Sequence, residues 1–202
     1  MVLITAINRH LTDELLTQLA GASALPVAAA RATATGAVPV LVQALALPVD
    51  ADETNARWDM CRQLYLSQLL TQPDELLRTD LGWPDRRRYL AQKILEVSLV
   101  AALAEPTGQP TQASTLLGYL TTIALAVVGE QVITLGLPPQ SLGSWLAQQP
   151  VPGLRPVAVL AGLPYLQPAR PALAAKLAVW SVVVGGAAVS GLVGGYFLLG
   201  RP

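Results

Sequence analysis

Apolar residues recur at helical spacing along most of the chain, and one stretch near the end is apolar without interruption. Leu177 to Gly200 contains no charged residue and lies between Lys176 and Arg201. A helix of this length would span roughly 36 Å, enough to cross a hydrocarbon core of about 30 Å. Trp180 and Tyr196 stand near its two ends, where aromatic rings suit the membrane interface. The pattern predicts a C-terminal transmembrane helix.

The first part of the chain carries two helical stripes. Residues 2–20 predict an N-terminal helix with a break near Thr12. Ser23 is the predicted N-cap of an Ala-rich second helix. Gly36 and Pro39 fall inside that helix and predict a kink or a break there.

Three further helices are predicted between residues 53 and 104. The first is amphipathic, and its apolar stripe is Trp58, Cys61, Leu64, Tyr65 and Leu69. A short helix begins at Pro73 and ends by Gly82, and a longer one begins at Pro84. The apolar face of the longer helix is expected at Leu90, Ile94, Val97 and Ala101.

A second apolar segment runs over residues 113–135. The uncharged stretch that overlaps it, from Gln112 to Gly129, has 18 residues, which is the lower limit for a membrane span. Thr115, Thr121 and Thr122 favour a buried core helix instead, and the alternative in which residues 113–135 enter the bilayer stays open. No run alternates with period two, which favours an all-α fold.

These elements divide the chain into three predicted regions. Residues 1–149 form a helical domain, with middle helices at 53–104. Residues 150–176 contain six prolines up to Pro171 and predict an irregular connector. Residues 177–200 form the membrane helix.

Charge constrains the partners. Hydrophobic residues make up 52% of the chain and charged residues 13%, and thirteen basic residues balance thirteen acidic ones. Neutrality argues against nucleic acid as a partner. No acidic residue follows Glu130, so Arg170 and Lys176 give the membrane helix a basic flank. That flank favours a cytoplasmic domain and contact with lipid headgroups.

The candidate chemistry is sparse. His10 is the only histidine and is expected to pair with Asp13 and Glu14 on one helix. Cys61, the only cysteine, lies on the apolar stripe of its helix, which predicts a core position rather than a nucleophile. No metal site, cofactor, catalytic residue or small-molecule substrate is expected.

Two clusters are candidates for contacts rather than catalysis. The basic run Arg86, Arg87 and Arg88 could bind an anion or a headgroup, against the alternative of a solvated helix start. Small residues line one side of the predicted membrane helix: Gly186, Ala187, Ser190, Gly191 and Gly195. Such a face lets membrane helices approach closely, which favours dimerisation or docking on another membrane protein.

Two blocks of the chain resemble the YidB-like family of uncharacterised bacterial helical proteins. The first block comprises Leu16 to Ala20, Ser23 to Pro26, and Ala37 to Leu45 around Pro39. The second comprises Ser114 to Leu117, Gly129, and Leu142 to Gln148. Thr121 and Thr122 stand where the family often has a proline. The matching regions are about 1–47 and 113–149, and the resemblance does not extend to residues 53–104.

The resemblance implies a bacterial protein with a homeodomain-like arrangement of helices and no established activity. Together the patterns predict a non-enzymatic, single-pass protein of the bacterial cytoplasmic membrane, a scaffold or accessory protein that self-associates or binds a partner at the bilayer. One alternative is an integral subunit of a larger membrane complex in which residues 113–135 are also embedded. A DNA-binding regulator is a third, which neutral charge disfavours.

Overall fold

Helices account for all regular structure in the residues that the computed structural model describes, which are 2–79 and 82–150, with the side chain of Ser98 left aside. The predicted connector beyond Pro150 and the predicted membrane helix at 177–200 lie outside them. So do five predicted packing residues, Gly186, Ala187, Ser190, Gly191 and Gly195, and the two flanking cations, Arg170 and Lys176. The prediction of an all-α domain is confirmed for the described part.

Eight α-helices and one 3-10 turn follow one another in that part. They are α1 (Leu3–His10), α2 (Asp13–Ala22), α3 (Val27–Ala46), α4 (Ala51–Leu66), α5 (Pro73–Leu77), α6 (Trp83–Ala104), the turn Glu105–Thr107, α7 (Pro110–Leu135) and α8 (Pro139–Ala147). Prolines occupy the first turns of α5, α6, α7 and α8, where a missing N–H costs little.

The N-terminal break is confirmed, but the role predicted for Ser23 is wrong. Thr12 separates α1 from α2, and its Oγ1 accepts a hydrogen bond from the Leu15 N–H at 3.2 Å. Ser23 is the C-cap of α2, because the chain turns through a left-handed Ala24 before Pro26 starts α3. Helix α3 continues through Pro39 without a break.

The predicted apolar face of α6 is half right. Leu90 and Ile94 are buried, whereas Val97 is 65% exposed and Ala101 is exposed as well. Glu96 has φ 59° and ψ 156°, which interrupts the helix. The interruption changes the register, so the buried positions beyond it are Val100 and Ala104.

Helix α7 is the centre of the domain and packs against α1, α2, α3, α4 and α6. It is buried almost continuously from Leu116 to Gly129, and the Thr121 and Thr122 hydroxyls donate to carbonyls one turn back. Two glycines let its neighbours approach. A Cβ at Gly118 would lie 3.2 Å from the Arg87 backbone, and one at Gly129 would lie 2.0 Å from the Cys61 carbonyl oxygen.

Two of the described helices, α3 and α7, are long and apolar enough to cross a membrane by length and composition alone. In α7, 83% of the most apolar window is buried within the protein, and in α3 the share is 50%. The core helix of a soluble protein has the same properties, so this supports membrane association only weakly.

Candidate functional site

A groove with a cavity of about 420 Å³ opens between the end of α3, the start of α4 and helix α8. Its walls are mostly apolar, and its lining side chains include Leu45, Leu47, Val49, Leu142 and Leu146. Leu47 and Val49 are 45% and 39% exposed. A concave apolar site of this size with a few polar groups is the usual form of a ligand pocket.

Arg57 is the charged residue in the groove wall, and it is only 6% exposed. Its Nη1 donates to the Leu45 carbonyl at 2.8 Å. That carbonyl belongs to the last turn of α3, where backbone acceptors lack partners within the helix. A guanidinium there also complements the negative end of the helix dipole.

Local sequence explains how Arg57 reaches this position. Pro48 follows the C-cap of α3, and Asp50 caps α4 by accepting from the Glu53 N–H at 2.7 Å. The connection between the two helices is therefore short, and Arg57, in the second turn of α4, faces back toward the end of α3.

The charges around Arg57 do not balance. Glu53 is the one carboxylate among the described residues within 4.0 Å of the guanidinium, with Oε1 3.9 Å from Nη2. Its other oxygen lies 3.1 Å from the Lys93 ammonium. One anion thus serves two cations, and the Nε of Arg57 is buried without a hydrogen-bond partner. Desolvation lowers the pKa of Arg57, and the charge on Glu53 opposes that change in part.

The three arginines of the basic run have different environments. Arg87 is 3% exposed, and it donates to the Leu76 and Arg78 carbonyls, each at 2.7 Å. Its guanidinium carbon lies 4.2 Å from the centroid of the Tyr119 ring. Burial lowers its pKa. Arg86 and Arg88 are exposed, so an anion or headgroup at the surface could contact these two, while Arg87 is engaged inside the domain.

His10 and Cys61 do not form a reactive pair. The expected pairing of His10 with Asp13 and Glu14 is not formed, because α1 ends at His10; its Nε2 lies 3.8 Å from Glu130 instead. Cys61 is fully buried, as predicted. Burial raises the pKa of its thiol to about 12. Within residues 2–79 and 82–150 no group of three His, Cys, Asp or Glu side chains could hold a metal ion.

Sequence reasoning missed the groove and Arg57. Arg57 precedes Trp58 in the amphipathic stripe of α4, and a cation there resembles a solvated residue. A signal was present in the pairing of Glu53 with Arg57 at a spacing of four residues, next to the proline that ends α3. That spacing does not predict the hydrogen bond from Arg57 to the Leu45 carbonyl, which belongs to a different helix.

Comparison with protein-family models, curated proteins and solved structures finds no match to this chain. The resemblance to the YidB-like family and its homeodomain-like arrangement therefore stay predictions.

Proposed function

We propose that this protein is a non-enzymatic scaffold or accessory protein, anchored in the bacterial cytoplasmic membrane by residues 177–200, whose cytoplasmic helical domain binds a partner at the bilayer. The groove between α3, α4 and α8 is its binding site. Self-association through Gly186, Gly191 and Gly195 belongs to the same proposal, since a small-residue face favours close helix pairs.

The observation that carries the proposal is the groove itself. In its mostly apolar wall, Leu47 and Val49 stay 45% and 39% exposed beside the buried Arg57. One wall is α8, which ends at Ala147, just before the predicted connector to the membrane helix. A partner held there is bound at the part of the domain nearest in sequence to the anchor.

Fractionation of the full chain and of a chain ending at Pro171 tests the anchor. We expect the full chain to stay with membranes after alkaline carbonate extraction and the shortened chain to be released. Recovery of the full chain in the soluble fraction would contradict the anchor. Retention of the shortened chain would show a second membrane-embedded segment.

The length and composition of α7 favour one second candidate, an integral subunit in which residues 113–135 span the bilayer. Helix α7 has 26 residues and is roughly 39 Å long. Its ends carry exposed Thr111 and Thr134, which would then lie on opposite sides of the membrane.

Cysteines introduced by Thr111→Cys and Thr134→Cys in a Cys61→Ala background distinguish the two functions. If α7 is the core of a soluble domain, a membrane-impermeant maleimide labels both positions on the same side of sealed vesicles. If α7 spans, one position reacts only after permeabilisation. The burial of α7 among α1, α3, α4 and α6 supports labelling on one side.

A further inference from the structure

We propose that the groove between α3, α4 and α8 binds a single-chain fatty carboxylate, with the carboxylate at Arg57 and the alkyl chain along the apolar walls. This inference rests on the proposed function in taking the groove as the binding site and the bilayer as the source of the ligand. It names a ligand class that the sequence did not lead us to expect.

The shape of the groove selects a small ligand. About 420 Å³ lies within the range of small-molecule sites, roughly 300 to 1,000 Å³. Leu47 and Val49 remain partly exposed on one wall, and Leu142 and Leu146 form the other. Leu142 and Leu146 are each 1% exposed, so an alkyl chain in the groove would cover protein surface chiefly at Leu47 and Val49. Removing that surface and the alkyl chain itself from water favours binding.

The charge in the groove selects an anion. Glu53 is shared between Arg57 and Lys93, so the three side chains carry a net charge of +1. A buried cation without a full counter-charge is costly. A ligand carboxylate would balance the cluster and accept from guanidinium donors that the Leu45 carbonyl does not use.

The two requirements together exclude simpler ligands. A free phosphate would leave the apolar walls wet, and a neutral alcohol with the same chain would leave the cluster positive. A fatty carboxylate would cover the apolar walls with its alkyl chain and neutralise the cluster with its carboxylate. The bilayer to which the domain is proposed to be anchored is a source of such molecules.

The test uses the full chain in vesicles of phosphatidylcholine with a diazirine-bearing dodecanoate as the probe. After illumination, mass spectrometry locates the label. We expect label on residues 45–49 and 139–147. Unlabelled dodecanoate should compete at least about tenfold better than dodecanol, because the alcohol lacks the charge-assisted hydrogen bonds to Arg57.

Two matched glycine variants locate the site without disturbing the fold. A Cβ at Gly143, which lines the groove, or at Gly36, away from it in α3, meets no atom within 4 Å. Gly143→Leu fills the groove and should reduce labelling by roughly tenfold or more. Gly36→Leu, the control, should label like the unmodified protein.

Arg57→Lys tests the charge geometry, since an ammonium cannot reproduce the planar fork of a guanidinium. We expect the preference for dodecanoate over dodecanol to shrink. If that variant fails to fold, Gly143→Leu still decides the question. Equal competition by the alcohol, or labelling that Gly143→Leu leaves unchanged, would overturn the inference.

The two proposals fail separately. A full chain that remains in the membrane fraction but shows no groove labelling contradicts the ligand alone. A full chain that labels in the groove yet is released from membranes by carbonate contradicts the anchor alone.

Discussion

Arg57 and Arg87 are buried arginines, and each donates hydrogen bonds to backbone carbonyls at the end of another helix. Arg57 donates to a carbonyl in the last turn of α3, and Arg87 donates to the Leu76 carbonyl in α5 and to that of Arg78 just after it. The Leu45 and Leu76 carbonyls lie in the last turns of α3 and α5, where backbone acceptors lack partners within the helix. Each guanidinium therefore connects a helix end to a later helix across a buried site.

Replacing Arg87 should be strongly destabilising. Arg87→Met removes the guanidinium donors to the buried Leu76 carbonyl and to the partly buried Arg78 carbonyl, together with the contact with Tyr119. The free energy of unfolding should therefore fall by about 3 kcal/mol. Urea denaturation measures this loss. The control is Arg86→Met, since Arg86 is exposed over Trp83 and should change stability by no more than about 0.5 kcal/mol. Equal effects of the two changes would contradict the role assigned to Arg87.

Cys61 should make stability depend on alkaline pH. Its ordinary pKa of 9.0 is raised to about 12 by burial, so the folded state holds the proton where the unfolded state releases it. The stability that the buried neutral thiol contributes is fully present below pH 9. It is lost as the pH rises toward 12, by about 1.4 kcal/mol for each pH unit.

The measurement compares the unmodified chain with Cys61→Ala. Their difference in free energy of unfolding should fall by about 1.4 kcal/mol between pH 8 and pH 10, while groups common to both chains cancel. A difference that stays constant over that range would show that the thiol is not held neutral by burial.

At the scale of elements, two helices end in the same motif with different residues. After α2, the Leu25 N–H donates to the Ala20 carbonyl at 2.9 Å, and the left-handed residue is Ala24, with φ 55°. After α7, the Leu137 N–H donates to the Val132 carbonyl at 2.9 Å, and the left-handed residue is Gly136. Both are Schellman motifs, which favour glycine at that position.

Exchanging these residues should change stability in opposite directions. Ala24→Gly removes a left-handed alanine and should raise the free energy of unfolding by about 1 kcal/mol, which raises the thermal midpoint. Gly136→Ala should cost a similar amount. Calorimetry on both variants gives the comparison, and a loss of stability in Ala24→Gly would show that the α2 end is not strained.

Helix periodicity predicted most elements because their apolar stripes face one core. Thr12, Pro73 and Pro84 marked real boundaries. The face of α6 beyond Glu96 was wrong because a backbone interruption changes register, and no sequence period carries that information. Arg57 was missed for a related reason: the Leu45 carbonyl that buries it lies on a different helix.

At the scale of the molecule, the domain depends on the crossing of α4 and α7. Gly118 and Gly129 are separated by about three turns of α7, so they lie on nearly the same face of the helix. The Cys61 carbonyl of α4 rests against Gly129, and the backbone of α6 at Arg87 rests against Gly118. Neither approach leaves room for a side chain without movement.

Gly129→Ala should therefore be the most damaging glycine-to-alanine change among the described glycines. The added Cβ would meet backbone rather than a flexible side chain, so we expect a loss of about 3 kcal/mol or more. Gly36→Ala is the matched control; its Cβ meets no atom within 4 Å, and it should stabilise α3 by about 0.5 to 1 kcal/mol. Circular dichroism during urea unfolding measures both, and a tolerated Gly129→Ala would show that α4 and α7 are farther apart.

The central place of α7 also sets an order of events during protein synthesis. Helices α1 to α6 are made first, and α7, which packs against five of them, is completed only at Leu135. At ribosomal speeds of about 5 to 20 residues per second, roughly 5 to 20 s pass between the start of α3 and the end of α7. During that interval the nascent chain presents the faces that will later cover α7. A chaperone that binds apolar segments would have its best access then, before the last described helices close the domain.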